Sequence, residues 1–118
     1  MAYRILIVDD LEDTAVSMAY LLETLGHAVA YTTKSPGALT LARKFLPHVG
    51  LLDIGMPDLD GYELCRALKA EKALAGLRCY AISGYGSRAD RRKALAAGFD
   101  ELFTKPVGIE QLRSILGR

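Results

Sequence analysis

Residues Arg4–Asp13 read RILIVDDLED. Ile5–Val8 form a continuous apolar run of the length expected for a strand buried on both faces. Asp9 and Asp10 follow with no spacer. Carboxylates at the end of a core strand are costly unless paired, protonated or bound to a metal. The fold must therefore supply a reason for both.

Strand and helix signals alternate along the remaining chain. Further strands are expected at Ala28–Thr32, Val49–Asp53, Arg78–Ile82 and Glu101–Thr104. A helix over Asp13–Leu25 puts Thr14, Met18, Leu21, Leu22 and Leu25 on one face, and Gly26 supplies a left-handed stop. Ser35 reads as the N-cap of a second helix with Pro36 at its first position; Pro47 ends it. Asp60-Gly61-Tyr62-Glu63 has capping-box spacing for a third helix. Ser87-Arg88-Ala89-Asp90 opens a fourth in the same manner, ending at Gly98, and Ile109–Leu116 is a short fifth after Gly108. Five successive βα units predict an α/β fold: a parallel sheet with helices on both faces.

The chain has 118 residues, enough for one compact domain and too few for two. Half of it is hydrophobic and a quarter charged, which fits a soluble globule. No apolar run reaches bilayer-spanning length and no secretory signal precedes the first strand, so a cytoplasmic protein is expected. Cys65 and Cys79 each sit in an apolar pattern and are expected as reduced core thiols. Residues 1–59 carry four Lys/Arg against seven Asp/Glu, and residues 60–118 eleven against seven. The basic excess includes Arg88, Arg91, Arg92 and Lys93. Such a cluster could bind nucleic acid or an acidic partner, but with no interleaved aromatics and little net charge it reads as a solvated helix face.

Open parallel sheets bind ligands beyond the carboxyl ends of their strands. Here those ends carry Asp9 and Asp10, Asp53, Ser83, and Lys105-Pro106. Singly, such residues are ordinary caps, turns and solvated ends. Together, three converging carboxylates repel one another unless a cation intervenes, and hard oxygen ligands suit Mg²⁺. A metal and a lysine around one exposed Asp make that Asp a nucleophile toward phosphorus. Ser83 and Lys105 can then stabilise phosphoryl oxygens.

The segments ILIVDD, LLDIGMPDLDGYEL, AISGYG and GFDELFTKPV, in this order and spacing, resemble the receiver domain of bacterial two-component response regulators. The resemblance covers essentially the whole chain, residues 1–118, as a single receiver domain. It implies a flavodoxin-like, doubly wound five-stranded sheet of order 2-1-3-4-5. By the same resemblance Asp53 is the phosphoacceptor, and Asp9 and Asp10 carry Mg²⁺ with Asp53 and the Gly55 backbone carbonyl. Ser83 is the switch hydroxyl and Lys105 the phosphate-sensing lysine, joined to Pro106 by a cis bond. Met56, Pro57 and Gly61 match the family's loop after the phosphorylated strand. The expected role is a phosphorelay switch rather than an enzyme. Its partners would be a histidine kinase or histidine phosphotransfer protein and a downstream protein target, with no direct nucleic-acid or membrane contact. The switched surface would be the fourth helix, fifth strand and fifth helix.

Some positions depart from the family's habit. The residue three before the lysine, often aromatic, is Leu102, and Phe103 alternates to the opposite side. Gly55 and Tyr85 stand two residues beyond Asp53 and Ser83.

Other readings use similar parts. Haloacid-dehalogenase-type phosphatases need an Asp-x-Asp pattern after strand one, but Leu11 and Glu12 occupy the relevant positions. A flavodoxin-like electron carrier needs a hydroxyl- and glycine-rich loop where this chain has DDLEDT, and a Walker-type loop is absent. A pseudo-receiver that only binds partners would not need the full set of acids, serine and lysine. His27 and His48 fall away from the acidic rim and are not expected to be catalytic. Val16 and Tyr20, four residues apart on the first helix, lie opposite its core face. They are candidates for contact with the phosphodonor protein, unless Tyr20 packs against the fifth helix.

Overall fold

The strand β3 (Val49–Asp53) is buried along its whole length and forms the centre of a five-stranded sheet ordered β2-β1-β3-β4-β5. β1 spans Arg4–Val8, β2 Ala28–Thr32, β4 Arg78–Ser83 and β5 Glu101–Thr104. All four pairings are parallel. The expected strand bounds are reproduced except that β4 runs one residue further, to Ser83. The computed structural model describes residues 2–55 and 60–116. Met56 and Pro57 lie outside the described residues, as does the side chain of Ser35.

Strand side chains alternate between two apolar layers, as the period of two requires. Ile5, Ile7, Val49, Leu51, Tyr80 and Ile82 pack with α1 (Glu12–Thr24) and α5 (Ile109–Leu116). Leu6, Val8, Leu52, Cys79, Ala81 and Leu102 pack with α2 (Ala38–Phe45), α3 (Gly61–Ala70) and α4 (Arg88–Ala96). Fully buried leucines and isoleucines of this kind stabilise the fold by about 1.5–3 kcal/mol each. Cys65 and Cys79 are buried free thiols, as expected. No helix among the described residues is long and apolar enough to cross a membrane.

The buried stripe of α1 is Ala15, Met18, Ala19 and Leu22, with Thr14, Leu21 and Leu25 at its margin. The small alanines let the helix lie close to the sheet. Gly26 (φ +95°) and Gly98 (φ +105°) make the left-handed turns after α1 and α4. The start of α2 differs from expectation: Ser35–Gly37 form a 3₁₀ turn, and the α-helix begins at Ala38. Gly37 would cost about 1 kcal/mol relative to alanine inside a helix, so the regular helix sets in after it. That helix ends at Leu46 in the left-handed region (φ 53°, ψ 62°), because Pro47 disfavours the α conformation in the residue before it. Asp60 caps α3 by accepting the Tyr62 and Glu63 N–H groups, and Ser87 caps α4 by accepting that of Asp90.

α4 is lightly held. Ala94 is its one buried residue. Arg91 pairs with Glu101 of β5, and the Lys93 ammonium stands 4.6 Å from the Tyr62 ring centroid. The Glu101 carboxylate also accepts the N–H of Leu102 at 3.0 Å.

His27 and His48 precede β2 and β3, so both lie at the pole opposite the strands' carboxyl ends. His27 Nδ1 accepts the Tyr3 N–H at 3.0 Å and His48 Nδ1 the Arg4 N–H at 2.9 Å. Their role here is to anchor the start of β1.

Candidate functional site

Parallel strands in register bring their carboxyl ends to one rim. Val8 is level with Leu52, Asp53 with Ile82, and Ser83 with Thr104. The next residues along these strands are therefore neighbours, although β1 and β5 are 96 residues apart at Asp9 and Lys105. Asp9, Asp10 and Asp53 can each offer one oxygen, all within 4.8 Å of one another. Lys105 Nζ lies 3.0 Å from Asp53 Oδ2 and 3.2 Å from Asp9 Oδ2.

The remaining oxygens are held by backbone. Asp53 Oδ1 accepts the Gly55 N–H at 2.7 Å, and Asp9 Oδ1 accepts the Leu11 N–H at 3.0 Å. Each carboxylate thus closes a short turn with one oxygen and leaves the other on the rim. Asp9 closes the turn that leads into α1, but it does not cap the helix: the N-cap position is Leu11 and has no side-chain cap. A nucleophilic Asp was expected to be exposed; Asp53 is 5% exposed, and Asp10 is the exposed acid of the three. The reason is that β3 is central and Asp53 is still part of the strand.

Burial raises the pKa of Asp9 above its usual value, against the lowering effect of the Leu11 N–H and Lys105; the charge of Asp53 adds to the rise. Burial by itself would lower that of Lys105. Hydrogen bonds to Asp53 and Asp9, with their charges, outweigh it and hold the ammonium above its usual value. Burial thus disfavours a bare Asp9 carboxylate, while Lys105 stays firmly protonated beside three acids. Three hard oxygen donors with a charge deficit fit a divalent cation such as Mg²⁺.

Ser83 is buried at the end of β4, and its Oγ accepts the Tyr85 N–H at 3.1 Å. The Lys105–Pro106 bond is cis, as the resemblance implied. Leu102 is buried on the α4 side of β5, and Phe103 stacks obliquely on Tyr80 on the other side at 5.9 Å. Gly61 lies so close to Ile54 that a Cβ would stand 3.1 Å from its Cα, which explains the glycine at the start of α3. Val16 and Tyr20 are exposed, Tyr20 by 69%, so its ring does not pack against α5.

Two features were not anticipated. A groove of about 340 Å³ runs beside Lys105, between α1 residues such as Asp13, Ser17 and Leu21 and the Pro106–Val107 turn. The spacing of Thr14, Ser17 and Leu21 along one side of α1 was the available signal. The other is the β4–α4 loop. A Cβ on Gly86 would stand 2.4 Å from Thr104 Cγ2 and 3.8 Å from Leu102 Cδ2, so the loop lies directly on β5.

The family model of the response regulator receiver domain matches residues 5–117. The chain belongs to that family. It is 34% identical over 107 residues to the response regulator PleD of Caulobacter vibrioides, an alignment covering 91% of this chain and 24% of PleD. The chain thus spans about a quarter of that relative. Among solved structures, it is similar to a CheY-like receiver domain protein of Methanospirillum hungatei, with TM-score 0.86, 31% identity, and coverage of 99% and 92%. A Burkholderia pseudomallei response regulator with a phosphorylated aspartic acid, calcium ion and citrate superposes with TM-score 0.85 at 29% identity, covering 97% of this chain and 64% of that one. Receiver domains are signalling switches with an acidic Mg²⁺ pocket, and the Asp9–Asp10–Asp53 cluster of this one matches such a pocket.

Proposed function

We propose that this receiver takes a phosphoryl group onto Asp53 from a phosphohistidine of a kinase or phosphotransfer protein. The observation that carries the reading is the position of Asp53: buried, tied by one oxygen to Gly55, and with its other oxygen 3.0 Å from the Lys105 ammonium. That leaves one oxygen at the rim to attack phosphorus, forming a P–O bond as the P–N bond to the donor imidazole breaks. The presence of a phosphorylated aspartate in the Burkholderia relative supports it.

Asp9, Asp10 and Asp53, with the Gly55 carbonyl, would hold Mg²⁺, which when bound supplies positive charge opposite the phosphoryl oxygens. Lys105 holds a proton at Nζ and balances the charge that Asp53 gains, roughly two negative charges at neutral pH. The Ser83 hydroxyl, whose oxygen accepts the Tyr85 N–H, would turn its O–H to donate to a phosphoryl oxygen. This shift would carry the β4–α4 loop, Leu102 and the α4–β5–α5 surface to a second packing read by a downstream protein. The donor would approach over α1, where exposed Val16 and Tyr20 flank the rim and the groove beside Pro106 can receive a helix edge.

The test is intact-mass spectrometry after incubation with Mg²⁺ and acetyl phosphate. One acid-stable, base-labile phosphoryl group is expected on the wild type, none on Asp53→Asn, and none in excess chelator. Equal mass gain in wild type and Asp53→Asn would overturn the assignment.

A further inference from the structure

The pole opposite the acidic rim holds both histidines of the chain, and each is wired to the start of β1 in the same way. Tyr3 donates its N–H to His27 Nδ1 at 3.0 Å, and its carbonyl accepts the Ala28 N–H at 3.0 Å. Arg4 donates its N–H to His48 Nδ1 at 2.9 Å, and its carbonyl accepts the His48 N–H at 2.8 Å. Two successive residues are thus gripped at both backbone groups, one from the entry to β2 and the other from the entry to β3. The two grips also share a ring. The Tyr3 centroid stands 5.6 Å from that of His27 and 5.8 Å from that of His48.

An imidazole accepts at Nδ1 only while it is neutral with its proton on Nε2. The imidazolium carries N–H on both nitrogens and would set N–H against N–H. The surroundings do not favour that charge. Arg4 belongs to β1, and Arg78 of β4 places Cζ 5.5 Å from the Tyr3 ring centroid. Burial and the positive amino terminus hold His27 below its usual 6.5. Glu23 on α1 and Lys44 on α2, each four residues before a histidine, are exposed. No carboxylate forms an ion pair with either ring among the described residues.

We propose that His27 and His48 form one acid-operated latch on the start of β1. A proton taken up at Nδ1 of either ring releases the backbone N–H it holds, and Tyr3, which stands beside both rings, passes the release to the other. Imidazoles freed from these bonds take up protons below about pH 6.5. The latch is therefore closed at neutral pH and weakens as the pH falls below that value. It lies at the other end of β1 from Asp9, so it stands or falls separately from the role of Asp53.

The test is amide hydrogen exchange on the full chain, read by NMR and corrected for the intrinsic pH dependence of exchange. Between about pH 7.5 and about pH 5, on either side of the histidine range, the Tyr3 and Arg4 amides should lose protection together by at least tenfold. Those of Leu6 and Ile7 on the same strand should keep theirs. His27→Asn with His48→Asn puts a non-titrating acceptor in place of each Nδ1 and should abolish the loss. His48→Asn alone should reduce it at Tyr3 as well as at Arg4. Ring ¹⁵N shifts of the wild type need no variant: at neutral pH both histidines should be Nε2–H tautomers. Constant protection across the range, an equal loss at Leu6 and Ile7, an Nδ1–H tautomer at either ring, or an unchanged profile in the double variant would overturn the proposal. A loss at Tyr3 that His48→Asn leaves untouched would overturn the shared latch.

Discussion

Lys105 reaches across β4 to place its ammonium 3.0 Å from Asp53 Oδ2, joining β5 to the centre of the sheet by charge. The same ammonium touches Asp9 at 3.2 Å, so it is the one cation serving two buried carboxylates among the described residues.

Lys105→Met should therefore destabilise the metal-free protein. Breaking a fully buried pair costs about 3–5 kcal/mol; with the lysine side chain 24% exposed, roughly 2 kcal/mol is expected here. Adding Asp53→Asn should recover part of it, because one stranded charge is removed. Urea melts of the single and double variants measure this; strictly additive losses would show that the pair is not coupled.

Asp9→Asn with Asp10→Asn should act in the opposite sense. Burial disfavours the ionised Asp9 carboxylate in the folded protein, and an Asn oxygen can still accept the Leu11 N–H. The metal-free fold should gain about 1 kcal/mol, while the rise in melting temperature on adding Mg²⁺ should shrink markedly. An undiminished Mg²⁺ response would mean that these acids serve the turn and not a metal.

Val16→Glu with Tyr20→Lys probes the donor face. Transfer from the cognate kinase should fall at least tenfold, about 1.4 kcal/mol, with acetyl phosphate labelling unchanged. Loss by both routes would point to a damaged fold, and loss by neither to an idle surface.

Gly86→Ala should cost about 1–3 kcal/mol through overpacking, since its Cβ would sit 2.4 Å from Thr104 Cγ2. Thr104→Ser deletes that methyl and should restore most of the stability. Thermal melts of the two singles and the double decide it; a harmless Gly86→Ala would show that the loop moves away freely.

The pole opposite the rim predicts a pH effect. Burial holds His27 below its usual value of 6.5, so the unfolded ring takes up a proton where the folded one does not. Its stabilising contribution is present in full above pH 6.5 and declines as the pH falls below it. His27→Asn keeps an acceptor for the Tyr3 N–H and should flatten that part of the melting-temperature profile. An identical profile in the variant would assign the acid sensitivity elsewhere.

Much of this was legible in one dimension because the fold is regular. Once βα units alternate, the carboxyl ends of parallel strands must converge, and Asp9, Asp53, Ser83 and Lys105 could be read off as a set. The bounds of β1, β2, β3 and β5 followed from apolar runs between turn residues. What eluded the sequence depended on contacts between distant segments. The burial of Asp53 comes from the position of β3 in the sheet. The approach of Gly86 to Thr104 comes from where the loop crosses β5. The 3₁₀ turn at Ser35–Gly37 was a local competition that the Ser-Pro signal did not resolve. The basic run on α4 was visible as composition, but which of its members are engaged, Arg91 by Glu101 and Lys93 by the Tyr62 ring, required the neighbouring β5 and α3.

The Glu101 carboxylate, clamped by Arg91 and accepting the Leu102 N–H, bears on how the protein behaves when crowded. β5 is an outer strand of the sheet, and outward-facing amides on such strands are templates for another chain. Here the amide at Leu102 is already occupied by a side chain of its own strand, and a charged pair stands over it. An incoming strand would have to break that bond and desolvate both charges before its first backbone contact formed. β5 is thus guarded against sheet-to-sheet aggregation, whereas β2, with the uncharged sequence Ala28–Thr32, carries no such guard in its own side chains.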